Sequence, residues 1–461
     1  MFASPLQATP AEVPILPGAP TRVWTYQGQV LNGDPAALQP LEGTYLGPII
    51  RVRRGQRVLI RFTHELPEKS IVHWHGLHVP EVMDGHPRYV IPRSETYVYD
   101  FEVITRAGTY WYHPHPHQRT GPQVYRGLAG FFLVSDEEEA AVGLPSGEYD
   151  IPLVIQDRTF DARNQLIYQP NGMMGGMMGG MTGFLGDRIL VNGRPNYTLS
   201  VATRAYRLRL LNGSNSRIYK LAWEDGTPLT VIGTDGGLLE VPVQRSYVTL
   251  APGERADLWV DFSGRPVGTE IALRSLPFAA GGMGHGGMGG GMRGGWRGGR
   301  PRRSLPNGAA FPVLKVRVDL EEGGSFTLPE RLSTFERYQI GEAVNANAPR
   351  SFHLSMRHMV WTINGRLFEM EGVARDEIVQ LNTLEAWDFA DMSMMPHPMH
   401  AHGPQFQVLG RQVAWGGSSA WETVRAGYVD EGWKDTVLVM PGERVRVLLK
   451  FTEYLGLFLY H

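Results

Sequence analysis

Three stretches of the chain repeat one pattern at domain-sized intervals. They read IPRSETYVYDF from Ile91, APGERADLWVDF from Ala251 and MPGERVRVLLKF from Met440. Each is a proline-initiated turn that runs into a near-alternating strand and closes on a charged residue and a phenylalanine. Pro92, Pro252 and Pro441 stand 160 and 189 residues apart, far too widely for a solenoid. A glycine follows each copy, at Gly108, Gly268 and Gly456. The first and third copies continue as GTYWYH and GLFLYH, the second as GTEIAL. HWHG (73–76) and HAHG (400–403) link the first and third copies again. The chain is therefore expected to be all-β, with three related domains over 1–140, 148–325 and 335–461. The second domain lacks the histidines and is expected to act as a spacer.

Composition fits this reading. Among 461 residues there are 56 Gly and 33 Pro, which favours many short strands joined by turns. The formal net charge of −2 gives no electrostatic case for nucleic acid or membrane as partner. No cysteine is present, so these residues offer neither a disulfide nor a thiolate ligand. No apolar run reaches membrane-spanning length. The first twenty residues lack a basic stretch followed by an apolar one, so a signal peptide is expected to be absent or removed. Only five lysines accompany the many arginines, which suits thermal adaptation or simply a GC-rich genome.

Eight of the fifteen histidines fall in the repeated motifs: His73, His75, His113, His115, His397, His400, His402 and His461. In a strand, residues i and i+2 face the same side, so each His-x-His pair presents two imidazoles together. Neutral imidazole is a ligand for copper, zinc, iron or nickel. Three such pairs on two related domains predict a metal cluster between the first and third domains. His117 shares the parity of His113 and His115 but is left outside the ligand set. His64, His78, His86, His353 and His358 stand alone in ordinary contexts.

HWHG, WYHPH and HPMHAHG together resemble three of the four copper motifs of the multicopper oxidases, of the bacterial laccase and cuprous oxidase type, and the resemblance spans essentially the whole chain. It implies three consecutive cupredoxin-like Greek-key β-sandwich or barrel domains. It also implies four copper ions. His73 and His400 would hold type 2 copper. His75, His113, His115, His402 and His461 would hold the type 3 pair, and His397 a type 1 ion. The implied activity is one-electron oxidation of phenols, aromatic amines or Cu(I), coupled to four-electron reduction of O2 to water. Asp84 matches an acidic residue of the family and is a candidate proton relay, although Asp84-Gly85 is equally good turn chemistry. The fourth motif reads His-Cys-His in the family, and here the sequence stops at its first residue, His461. A cysteine and a further histidine are expected to follow, and activity to depend on them. The alternative is a non-catalytic copper-binding or sequestering protein. A two-domain nitrite reductase fits less well, because it needs neither the third repeat nor the extra pairs.

Two low-complexity tracts, 171–183 and 281–303, carry Met173, Met174, Met177, Met178, Met181, Met283, Met288 and Met292. Soft thioether sulfur suits Cu(I), and a flexible insertion with incidental methionines explains the tracts equally simply. Met392, Met394, Met395 and Met399 surround His397. The arginines of the second tract read as a solvated loop. The family resemblance implies a periplasmic or secreted protein, and three domains in one chain favour a monomer.

Overall fold

The computed structural model describes all residues except 42, 169–182, 281–304, 325 and 415–418. All eight methionines of the two tracts fall on residues outside that description. The fold is all-β, and sheets pack face to face in three successive bodies, each cupredoxin-like.

The repeated segment plays the same part in every body. Its turn closes with a hydrogen bond, from Glu95 N to Pro92 O, Glu254 N to Ala251 O and Glu443 N to Met440 O. The residue before the glutamate has positive φ in all three, Ser94 at 66°, Gly253 at 84° and Gly442 at 74°, as the third position of a type II turn requires. In the second and third copies the glutamate side chain also accepts from the backbone N–H that opens the turn, Ala251 and Met440. The strand that follows pairs antiparallel with an earlier one: Thr96–Glu102 with Arg57–His64, Arg255–Asp261 with Ala205–Asn212, Glu443–Phe451 with Thr383–Asp391.

In the first body a four-stranded sheet faces a five-stranded one, which ends on Gly108–Pro114 and Val72–His75. These two strands pair His73 with His113, Trp74 with Tyr112 and His75 with Trp111. Alternation sends Trp74 and Tyr112 into the core beside Tyr99, Phe101 and Phe132 and turns the histidines the other way. The second body pairs a seven-stranded with a five-stranded sheet around the largest apolar core. In the third, a six-stranded sheet packs on the pair His397–His400 and Thr436–Val439.

Apolar clusters also join the bodies. Tyr45, Trp111 and Phe131 of the first meet Val154, Leu190 and Leu211 of the second. Ile218 and Ala251 of the second meet Val424, Leu438 and Met440 of the third. The first and third bodies are thereby held at fixed positions, with their histidine-bearing edges toward each other.

Trp74 stands between two of those histidines in sequence and is fully buried. Replacing it with alanine removes an aromatic anchor from the core, at a cost of about 3–5 kcal/mol. Urea denaturation of the metal-free Trp74→Ala protein should show that loss, and an unchanged midpoint would contradict the packing described.

Candidate metal centre

Seven imidazoles converge from two edges. Val72–His75 and Gly108–Pro114 present His73, His75 and His113, and the bond from His115 N to Ile71 O (3.0 Å) continues the row to His115. From the third body come His400 and His402. Their segment pairs with the last residues of the chain: His400 N donates to His461 O (2.7 Å), His461 N to His400 O (2.9 Å) and His402 N to Leu459 O (2.8 Å). The two sets interleave. His75 stacks on His400 at 3.8 Å between ring centroids, and His73 on His402 at 3.9 Å.

The outward nitrogen of most rings is tied to an acceptor. His73 Nδ1 donates to Asp84 O (2.6 Å), His113 Nδ1 to Pro114 O (2.9 Å) and His400 Nδ1 to Asp435 O (2.8 Å). His402 Nδ1 donates to Asp84 Oδ2 (2.7 Å), and His75 Nε2 lies 3.0 Å from Asp435 Oδ1. A neutral imidazole carries one N–H, so the inward nitrogens of these five rings present bare lone pairs. Two close pairs of these face one another, His73 Nε2 and His400 Nε2 at 3.4 Å and His75 Nδ1 and His113 Nε2 at 3.3 Å, and His402 Nε2 stands 3.2 Å from His461 Nε2. His115 Nε2 stands 3.3 Å from His461 Nε2, so His115, His402 and His461 form one triad. Facing lone pairs repel unless a cation lies between them. Two nitrogens bound to one metal at about 2.0 Å and near the tetrahedral angle stand about 3.3 Å apart. The residues present therefore fit metal ions, and an all-imidazole donor set suits copper.

Burial reinforces this. Desolvation pushes the imidazolium forms of His75, His113, His115, His400 and His402 well below the usual histidine range. Neighbouring histidines add to the effect in all five. These rings are neutral at pH 7, and no proton need leave them for a metal to bind.

Two family models described as multicopper oxidase match residues 22–139 and 343–461. Cell division protein FtsP of Sodalis glossinidius is 32% identical, over 98% of this chain and 89% of that protein. The chain belongs to the multicopper oxidase family. A laccase of Bacillus stratosphericus is 28% identical, over 96% of this chain and 88% of the relative. The crystal structure of McoA multicopper oxidase from Aquifex aeolicus superposes with a TM-score of 0.79 at 34% identity, covering 100% of this chain and 92% of that one. The family binds copper, and the imidazole clusters fit copper sites.

His397 stands apart from the seven-ring cluster, three residues from His400. Its Nε2 is 3.0 Å from Ser393 Oγ, and Trp361 meets its ring edge-on at 4.6 Å. Desolvation lowers its pKa to about 4. Of the methionines around it, Met399 is buried in the core, whereas Met392 and Met394 are exposed. A cleft of about 1140 Å³ runs beside the centre and is lined by His115, His397, His402 and His461. His117 packs on Phe368. His64 and His78 bond backbone carbonyls, Ile91 O and Thr452 O, and His86 accepts from Arg88 N.

Asp84 does two things at once. It closes a short 3-10 turn, with its N–H on Glu81 O, and its carboxylate holds His402. Gly85 follows at φ 83°, where a Cβ would overlap the Val72 carbonyl. Sequence reasoning missed Asp435 and Thr436. It also treated the second body as a spacer, and there the structure corrects it: Arg255 of the second body pairs with Asp435. No repeated pattern marks Asp435, and the Glu-Arg of the second repeat, although visible, carries no sign of its partner.

The buried histidines make the metal-free protein acid-sensitive. Below about pH 6.5 the unfolded chain takes up protons that the folded chain does not, so stability falls as pH falls. Each such group contributes up to about 1.4 kcal/mol per pH unit. The urea midpoint of metal-free protein should drop between pH 7.5 and pH 5.5, and a flat profile would contradict the neutral, buried state of these rings.

Proposed function

We propose that this multicopper oxidase is laccase-like. It takes single electrons from phenolic or aromatic-amine donors, with Cu(I) as a further donor, and delivers four of them to O2 with four protons, giving two waters. The observation that carries the reading is the set of seven imidazoles whose ring nitrogens meet between the first and third bodies.

His73 and His400 would hold type 2 copper. His75 and His113 would hold one type 3 ion, and His115, His402 and His461 the other. His397 would be one ligand of type 1 copper. Copper bound at these sites supplies one-electron redox chemistry and positions open to O2. The chain's own residues supply fixed ring orientation, a dry surrounding and a proton. Asp84 is fully buried, and the nearest donor to its Oδ1 is His73 Nδ1 at 3.4 Å, a nitrogen already donating to Asp84 O. Burial pushes its carboxyl up, partly opposed by His73, and in this reading it takes up a proton and passes it to oxygen. His397 lies along the cleft, within reach of a small aromatic donor. The Met/Gly tracts are proposed to handle Cu(I). The protein is proposed to work as a monomer in the periplasm or outside the cell. No helix among the described residues is long and apolar enough to cross a membrane.

A second reading is a copper-binding protein without turnover, since one relative is named a cell division protein and not an oxidase. Counting bound copper and following O2 uptake with a phenolic donor separates the two. The oxidase reading expects several coppers per full-length chain and four phenols oxidised per O2 consumed. Bound copper without O2 uptake would favour the second reading.

Asp84→Asn keeps an acceptor for His402 but cannot carry the proton. Turnover should fall by about 10²-fold or more with copper content unchanged, as read by steady-state O2 uptake. Full activity in this variant would remove Asp84 from the proton route.

A further inference from the structure

Among the described residues the second body brings no imidazole to the centre, but it brings a guanidinium that touches all three bodies. Arg255 opens the strand Arg255–Asp261 and is fully buried. Each of its five N–H donors finds an acceptor. Nε donates to Thr109 O of the first body (2.9 Å), and Nη1 to Gly253 O (2.8 Å) and to Asp435 Oδ1 (2.8 Å). Nη2 donates to Asp235 O (3.0 Å) and to Asp435 Oδ2 of the third body. Asp235 secures both partners. Its Oδ1 accepts from Arg255 N (2.7 Å), and its Oδ2 lies 3.3 Å from Thr436 N and 3.2 Å from Lys434 Nζ. The glycine of HWHG belongs to the same construction. Gly76 has φ 89°, and a Cβ there would run into both Asp435 and Arg255.

A carboxylate gripped by a guanidinium fork can only accept hydrogen bonds. Asp435 Oδ1 already accepts from Arg255 and from Thr436 Oγ1 (2.8 Å), and the third group against it is His75 Nε2. That nitrogen must donate, which leaves Nδ1 bare toward His113 Nε2. His75 therefore faces the centre through Nδ1, whereas His73, His113, His400 and His402 face it through Nε2. We infer that Arg255 and Asp435 are positioning residues for the copper centre. Through them the second body, which lacks the His-x-His motifs, fixes the ring orientation and tautomer of His75, and with them the donor that meets His113. The inference rests on the metal reading of the imidazole cluster given above. Lysine could not replace Arg255, because a single ammonium cannot reach the five acceptors that the planar fork serves.

The test begins on metal-free wild-type protein with ¹⁵N-labelled histidine. NMR should show His75 protonated at Nε2 and bare at Nδ1, and the opposite tautomer would overturn the inference. Copper affinity against a competing chelator then reads the consequence. Loss of such an outer contact typically weakens binding 10–100-fold. Arg255→Gln and Asp435→Leu should weaken one copper per chain by that factor, and the milder Thr436→Val should do so less. Asp435→Asn, which keeps an acceptor for His75, should restore part of the loss. Arg217→Gln removes another buried guanidinium of the same body, paired with Asp157, and should leave copper affinity unchanged. If wild-type protein binds copper and Asp435→Leu and Thr436→Val bind it equally well, the inference fails. If wild-type protein binds no copper, the metal reading itself fails.

Discussion

Pairs of imidazole lone pairs, buried and pointed at one another, are the constraint on which the rest of this structure depends. Each pair costs free energy in the metal-free chain, through desolvation of a polar nitrogen and through lone-pair repulsion. The fold tolerates this because other parts hold the rings in place. Trp74 and Tyr112 anchor the strands from behind. Backbone carbonyls of Asp84, Pro114 and Asp435 fix the outward nitrogens. Apolar clusters lock the first body to the second and the second to the third. A cation among the rings turns that cost into binding energy.

The second body shows how a repeat without the His-x-His motifs still serves the site. Its contribution is electrostatic. Arg255 neutralises Asp435 in a region sealed from water, where an unpaired carboxylate would be costly. Lys434 lies against Asp235 and Glu254 in the same layer. These buried charges sit where the three bodies meet, so relative movement of any one of them would break a paired charge as well as apolar contacts.

Much of the architecture was legible in the chain before any coordinates. The three proline-initiated repeats mark equivalent strands because turn chemistry and strand alternation are local properties, and each copy keeps them. His-x-His spacing reveals shared faces for the same reason, and three pairs on related segments point to a common centre. Asp84 was readable only as an alternative between turn and relay, and the structure shows one residue both closing a turn and holding His402. Asp435 and Arg255 could not be found. They are 180 positions apart, no periodic pattern ties them, and only the packing of three bodies brings them together. The surroundings of His397 were equally hidden, because sequence spacing does not tell that Met399 is buried while Met392 and Met394 face solvent.

The most direct measurement of the central claim is anomalous diffraction at the copper edge from crystals of the copper-loaded full-length protein. Separate copper peaks should lie between His73 and His400, between His75 and His113, and within the triad of His115, His402 and His461. Copper bound elsewhere, with these seven rings left free of metal, would contradict it.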